Sequence, residues 1–183
     1  MFEGAREIEK ILSALGEQLD AIHASIPELV VCGGSALNML GFVSRTTKDV
    51  DVVAFIKRDS EGNIDFKRAN PFPPKLVEAI KKVERDFNLS EDWFNSGPAS
   101  ALDLRLPEGL MERVATRKYG KSLTIHFLGR FDQIHFKLYA AADQGIGKHY
   151  DDLLALEPNP EELEKAARWS MTHDVSEGYR QTI

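Results

Sequence analysis

One stretch limits what this 183-residue chain can fold into: Leu29 to Phe55, L-V-V-C-G-G-S-A-L-N-M-L-G-F-V-S-R-T-T-K-D-V-D-V-V-A-F. Leu29 to Cys32 is a short apolar run stopped by two glycines, the pattern of a buried strand. Gly33 and Gly34 tolerate positive φ and let a ligand come close to the backbone. Ser35 is suited to cap a short helix from Ser35 to Leu40, with Gly41 at its C-terminal end. The first amides of such a helix are free to meet an anion. A second strand follows, carrying Val50, Val52 and Val53 and running to about Ile56. Asp49 and Asp51 are two residues apart, so in a strand both carboxylates leave the same face.

Two carboxylates on one face repel each other unless a cation lies between them. Mg²⁺ takes one or two carboxylates together with substrate phosphates. Gly-Gly-Ser alone is an ordinary turn, and Asp-x-Asp alone is an ordinary solvated strand end. Joined by one short helix, with Arg45, Thr47 and Lys48 directly ahead of the aspartates, they predict a phosphate-and-metal site. Arg45 and Lys48 are cations available nearby to neutralise phosphate charge.

G-G-S, a short helix and D-V-D resemble the opening of the DNA polymerase beta-like nucleotidyltransferases. R-T-T-K-D-V-D resembles the bacterial branch that contains abortive-infection toxins. The resemblance implies an α/β (α+β) fold: a nucleotidyltransferase-like small mixed sheet flanked by helices over residues 1–130, with a helical part, 131–183, packed on it. It implies that Gly33, Gly34 and Ser35 hold the triphosphate of a nucleotide, and that Asp49 and Asp51 hold Mg²⁺ or Mn²⁺. The activity implied is transfer of a nucleoside monophosphate from a nucleoside triphosphate to an acceptor hydroxyl on tRNA, a protein or a small alcohol. Two alternatives accompany it. One is a toxin–antitoxin component acting on tRNA, with a cognate antitoxin as partner. The other is a domain that binds nucleotide or protein without catalysis.

Two later segments extend the resemblance. Lys137 interrupts the apolar run F-K-L-Y-A-A on a predicted helix, Phe131 to Ala142, whose apolar stripe is Phe131, Ile134, Leu138 and Ala141. A cation there must snorkel or find an anion. The toxin branch has a lysine at this place and an R-D-x-x-D-L motif further on. This chain reads K-H-Y-D-D-L, with Lys148 for the arginine, His149 for the first aspartate, and Asp152-Leu153 matching the end. The resemblance therefore assigns Lys137 and Asp152 to the site, Asp152 as base or metal ligand, with Asp151 as the competing carboxylate. From the residues alone, Lys137 equally suits a surface pair with Asp132 or Asp143, and Asp151 and Asp152 suit a helix cap. The third carboxylate that polymerase-like members often carry on a later strand is missing. The strand Leu123 to Leu128 has His126 in its middle, and Asp103 is the nearest candidate. D-W-F-N-S-G-P followed by L-P-E-G-L resembles a subgroup of bacterial nucleotidyltransferase-like proteins.

Elsewhere, apolar residues three and four apart predict helices from Glu3 to about Ala24 and from Pro74 or Lys75 to about Phe87. A short helix is expected from Pro107 through Arg113, and a last one from Glu161 to Thr172. Gly16 sits unexpectedly inside the first helix. Ile64 to Phe66 is either a short returning strand or loop. Trp93 and Phe94 either pack beside a nucleotide base or plug the fold under a loop. His173 to Ile183 is a loose or docking tail. Cys32 is the sole cysteine and reads as a small core residue. The formal net charge of -6 disfavours broad nucleic-acid binding. Lys57 with Arg58, Lys67 with Arg68, and Arg113, Arg117, Lys118 and Lys121 read as solvated surface. No apolar run reaches the length of a membrane span, and the N-terminus does not read as a signal peptide, so a cytoplasmic location is expected.

Overall fold

A five-residue strand, β1 (Glu28–Cys32), is apolar on both faces because layers of structure cover it on each side. The computed structural model describes residues 1–103 and 105–183. β1 follows the long helix α1 (Ala5–Ala21) and runs directly into α2 (Gly33–Met39). Then come β2 (Val50–Arg58), β3 (Ile64–Arg68), α3 (Pro74–Phe87), β4 (Phe94–Asn95), β5 (Ala115–Tyr119) and β6 (Leu123–Phe127). The remainder is helical: α4 (Arg130–Gln144), α5 (Lys148–Ala155), α6 (Pro160–His173) and α7 (Glu177–Thr182). The protein is thus a mixed α/β fold, a six-stranded mixed sheet with a helical C-terminal region. No helix among the described residues is long and apolar enough to cross a membrane.

The sheet order is β3-β2-β1-β6-β5. β1 is antiparallel to β2 and parallel to β6, and β5 closes the far edge antiparallel to β6. The outer edge of β2 is shared. β4 pairs with Val50 and Asp51, and β3 takes over from Ala54 to Arg58. Val53 is bulged out between the pairs Val30↔Ala54 and Val31↔Val52. A bulge re-aims the strand beyond it, and here it sets Asp51 opposite Cys32. Leu29, Val31, Ile125 and Phe127 form one core with Leu12, Leu15 and Leu19 of α1 and Leu76 and Val83 of α3. Val30, Cys32, Ala54 and Ile56 form a second with Leu110, Leu128 and Phe136. A third, Leu37, Ile134, Leu153 and Ala166, joins the C-terminal helices to α2.

Several expectations need correction. α2 begins at Gly33, two residues early, with Cys32 at the cap position, and Ser35 caps nothing. Only a 3-10 turn, Leu110–Glu112, forms where a helix from Pro107 through Arg113 was expected, because Gly109 sits at φ 69°. The buried positions of α4 are Asp132, Gln133, Ile134, His135 and Lys137. Its inward face is therefore mostly polar, and of the expected apolar stripe only Ile134 is fully buried, with Phe131, Leu138 and Ala141 half-buried. Ile64 to Arg68 does form a strand, and β4 and β5 were not foreseen. Trp93 is the plug: it is fully buried and its Nε1 donates to the Ile80 carbonyl at 3.4 Å. The tail docks through α7, where Ser176 Oγ accepts the Tyr179 amide at 3.2 Å and Tyr179 packs on Tyr139. Arg113 is no free surface cation, since it clamps buried Asp132 through Nε at 3.0 Å and Nη2 at 2.7 Å.

Gly16 is also explained. A β-carbon there would run into the Tyr119 carbonyl at the end of β5. Backbone cannot move aside cheaply, so Gly16→Ala is expected to cost about 1–3 kcal/mol by overpacking, read as a lower urea midpoint with an unchanged slope. An unchanged midpoint would mean that α1 does not approach the β5–β6 hairpin this closely.

Candidate functional site

The site is built where β1 hands over to α2. Gly33 sits at φ 76°. A β-carbon on Gly33 would collide with the Asp51 carboxylate, and one on Gly34 would come within 2.7 Å of Thr47 Oγ1 and 3.1 Å of Arg45 Nη2. The start of α2 and Asp51 therefore face each other closely, with Thr47 and Arg45 against Gly34. Two main-chain hydrogen bonds hold the segment leading into Asp49: Phe2 N–H donates to Thr47 O at 2.7 Å, and Thr47 N–H to Phe2 O at 3.0 Å. Asn95 in β4 donates from Nδ2 to Asp51 Oδ1 at 3.2 Å and accepts the Gly97 amide at 2.8 Å. The Gly33 amide donates to Gln133 Oε1 in α4 at 3.3 Å, so it is already occupied. Burial, and then the charge of Asp49, push the Asp51 carboxyl above its usual range despite Asn95 and Lys137. In other words, the Asp51 carboxylate is undercompensated where it stands.

A charged cluster lies beside the pair. Lys137 is 4% exposed and Asp152 1%. Lys137 Nζ is 2.7 Å from Asp152 Oδ2. Arg45 donates to the same carboxylate through Nε at 2.7 Å and Nη2 at 2.6 Å. Burial alone would raise the Asp152 carboxyl, but the Arg45 and Lys137 hydrogen bonds hold it below its usual range. Two cations share this one anion, so the Arg45–Lys137–Asp152 cluster taken by itself carries one positive charge. His149 Nδ1 is 3.5 Å from Lys137 Nζ. Burial, with Lys137 and Lys148 adding to it, lowers its pKa to about 4, so the ring is neutral at physiological pH.

Two adjoining lobes open onto these groups. Both are lined by Asp49, Asp51, Lys137, Lys148 and His149. The smaller, about 260 Å³, adds Gly34, Arg45, Thr47 and Lys48 and is rich in cations. The larger, about 700 Å³, adds Gly33 and an apolar wall that includes Pro98, Ala101, Phe136 and Tyr139. Together they form a cleft with one end suited to phosphate and the other to a flat, partly apolar group.

Of the residues assigned from sequence, Gly33, Gly34, Arg45, Lys48, Asp49, Asp51 and Lys137 line this cleft. Ser35 does not: it is fully buried, and its hydroxyl turns back to the Cys32 carbonyl at 3.5 Å. Asp152 lies behind the cleft with its oxygens committed to Arg45 and Lys137, so it positions those cations and is not free as base or metal ligand. Asp151 is exposed. Asp103 lines the larger lobe but pairs with Arg68 at 3.2 Å. Sequence reasoning passed over Lys148 and His149 as site residues, although K-H-Y-D-D pointed at them. It had no signal for Asn95 and Gln133, which reach the site only through the sheet register and the packing of α4. No protein-family model, curated protein or solved structure matches this chain.

Removing Asp152 leaves buried Lys137 without its anion, so Asp152→Asn is expected to cost about 3–5 kcal/mol. Lys137→Met costs less, because Arg45 still holds Asp152. The double variant is not additive, with coupling above about 0.5 kcal/mol in denaturant unfolding; additivity would dismiss the pair. His149 makes a second test. A histidine with a depressed folded-state pKa favours the folded state above its unfolded value. That contribution is lost as pH falls from 6.5 to about 4. His149→Gln should therefore flatten the melting-temperature profile between those limits, and a profile parallel to the wild type would reject the assignment.

Proposed function

We propose that this chain is a metal-dependent nucleotidyltransferase of the DNA polymerase beta-like fold, moving a nucleoside monophosphate from a nucleoside triphosphate to an acceptor hydroxyl. One observation carries the reading: the Asp51 carboxylate lies against Gly33, beside a cationic lobe and an apolar one. The donor set suits Mg²⁺ or Mn²⁺. Asp51 is undercompensated with Asp49 beside it, and no third His, Cys, Asp or Glu among the described residues joins them in a ready ligand group. Such a set leaves the rest of a coordination shell to phosphate oxygens and water. A bound divalent ion would supply Lewis-acid charge to the phosphates.

The protein's own groups do the rest. Lys48 and Lys148 are exposed at the cleft mouth, where they draw in and bind the polyphosphate. Lys137 and Arg45 are held rigid by Asp152, so their positive charge is already oriented when charge builds up on the leaving pyrophosphate. Glycine at 33 and 34 lets the backbone lie against Asp51, Thr47 and Arg45, which brings the metal-seeking and phosphate-seeking groups together at one end of the cleft. Phe136 and Tyr139 in the larger lobe offer surface to the nucleoside. In the transfer, the acceptor oxygen bonds to the α-phosphorus as its proton passes to water, the bond from the α-phosphorus to the bridging oxygen breaks, and pyrophosphate leaves. The acceptor is tRNA, a protein or a small alcohol; a toxin–antitoxin role on tRNA is the case in which that transfer arrests growth.

A second reading has its own support. Asp152 and Asp103 are both ion-paired, so neither obvious carboxylate is free as a base, which favours a nucleotide-binding domain without transfer. The two separate as follows. A non-hydrolysable triphosphate should bind by calorimetry only with Mg²⁺ or Mn²⁺, and Asp49→Asn or Asp51→Asn should weaken it at least tenfold, about 1.4 kcal/mol. With an α-³²P-labelled triphosphate and cell extract, label should pass to an acceptor. Metal-dependent binding without transfer selects the second reading, and binding indifferent to metal and to both aspartates removes both.

A further inference from the structure

A second set of reactive groups lies outside the cleft. Thr116 in β5 is paired across the sheet with His126 in β6. Its Oγ1 is 2.8 Å from His126 Nδ1, and His126 Nε2 is 2.7 Å from Glu28 Oε2. Arg58 donates to the same Glu28 carboxylate from Nη2 at 3.1 Å. Burial would raise the Glu28 carboxyl, but Arg58 and His126 hold it below its usual range. An ionised carboxylate only accepts, so the neutral ring carries its proton on Nε2 and turns the Nδ1 lone pair to the Thr116 hydroxyl. His126 is 3% exposed, whereas Thr116 is exposed on the outermost strand. Hydroxyl, imidazole and carboxylate in series are the arrangement that activates an alcohol as nucleophile.

We propose that Thr116 is a self-modification site: an activated hydroxyl that receives the nucleotidyl group from the cleft of a second copy of the chain. This rests on the nucleotidyltransferase reading. Transfer within one chain is out of reach, because β5 lies three strand spacings from β2, about 14 Å, and Thr116 is also in register with Val30, short of the Cys32 end of β1 that faces Asp51. In the step, Thr116 Oγ1 bonds to the α-phosphorus and its proton passes to His126 Nδ1. The bond from the α-phosphorus to the bridging oxygen breaks, and pyrophosphate leaves. The modified chain then carries a phosphodiester-linked nucleotide on its free sheet edge.

The test uses two variants of the full chain. Asp51→Asn has an acceptor and no working cleft; Thr116→Val has a working cleft and no acceptor. With Mg²⁺ and an α-³²P-labelled nucleoside triphosphate, neither should label alone. Mixed, label should appear on the Asp51→Asn chain, at Thr116 by peptide mass mapping, and wild-type labelling should rise with the square of protein concentration. His126→Gln should slow labelling by about 100-fold, and Glu28→Gln by about tenfold or more by releasing the tautomer. The latter is partly exposed and tests the relay even where the buried histidine variant fails to fold. Label that persists in Thr116→Val, or maps elsewhere, overturns the proposal. So does absence of label in a protein that still binds triphosphate with metal, and the nucleotidyltransferase reading then stands. Loss of metal-dependent triphosphate binding overturns both.

Discussion

The structure turns on one buried carboxylate with a cation on either side. Asp152 comes from α5, Lys137 from α4 and Arg45 from the segment before the aspartate strand. Their pairing ties the C-terminal helices to the sheet at the level of Asp49 and Asp51. Buried charges persist only when paired and hydrogen-bonded, so the three segments cannot separate without exposing or orphaning a charge. The cluster orients the cleft while contributing little area to the hydrophobic cores. It also explains why α4 turns polar residues inward. Asp132 meets Arg113, Gln133 meets Gly33 and Lys137 meets Asp152, each across a contact that apolar side chains could not make.

Against that frame the two glycines matter because of what faces them. Gly33 and Gly34 give the backbone room to lie against Asp51, Thr47 and Arg45. The crowding has an electrostatic side. Asp51 gains burial and a neighbouring anion, and Asn95 is too weak a donor to offset both. Such a carboxylate is poised to gain from a cation, whereas Asp152, already saturated, is not. Two acidic residues that look alike in the sequence, Asp51 and Asp152, thus differ in their neighbours: one is undercompensated in the cleft and the other is a structural anchor.

The Glu28–His126–Thr116 relay sits away from the cleft, toward the sheet's far edge, and depends on the same sheet for its alignment. His126 stands where a carboxylate was sought on a later strand. The strand was read correctly, but its histidine serves other partners, because the register sets it beside Glu28 and Thr116 and not beside Asp51.

Much of this was readable before the fold was known. The apolar run into Gly33-Gly34, the short helix and the aspartate strand are local patterns, each set by residues within a few positions of one another. The same holds for the periodic helices α1, α3 and α6. β3 and β5 were harder, because edge strands are exposed on both faces and lose the alternation that marks a half-buried strand. The sequence alone determined the order of strand, short helix and paired aspartates, since backbone freedom and side-chain period act over short range; the glycines proved to be the first turn of that helix. Only the tertiary structure decided that Asp152 is an anchor, that Ser35 is buried, that Lys148 and His149 reach the cleft, and that Asn95 and Gln133 support it. Those outcomes depend on which distant charges and donors come within about 3 Å of one another, and no local pattern encodes that distance.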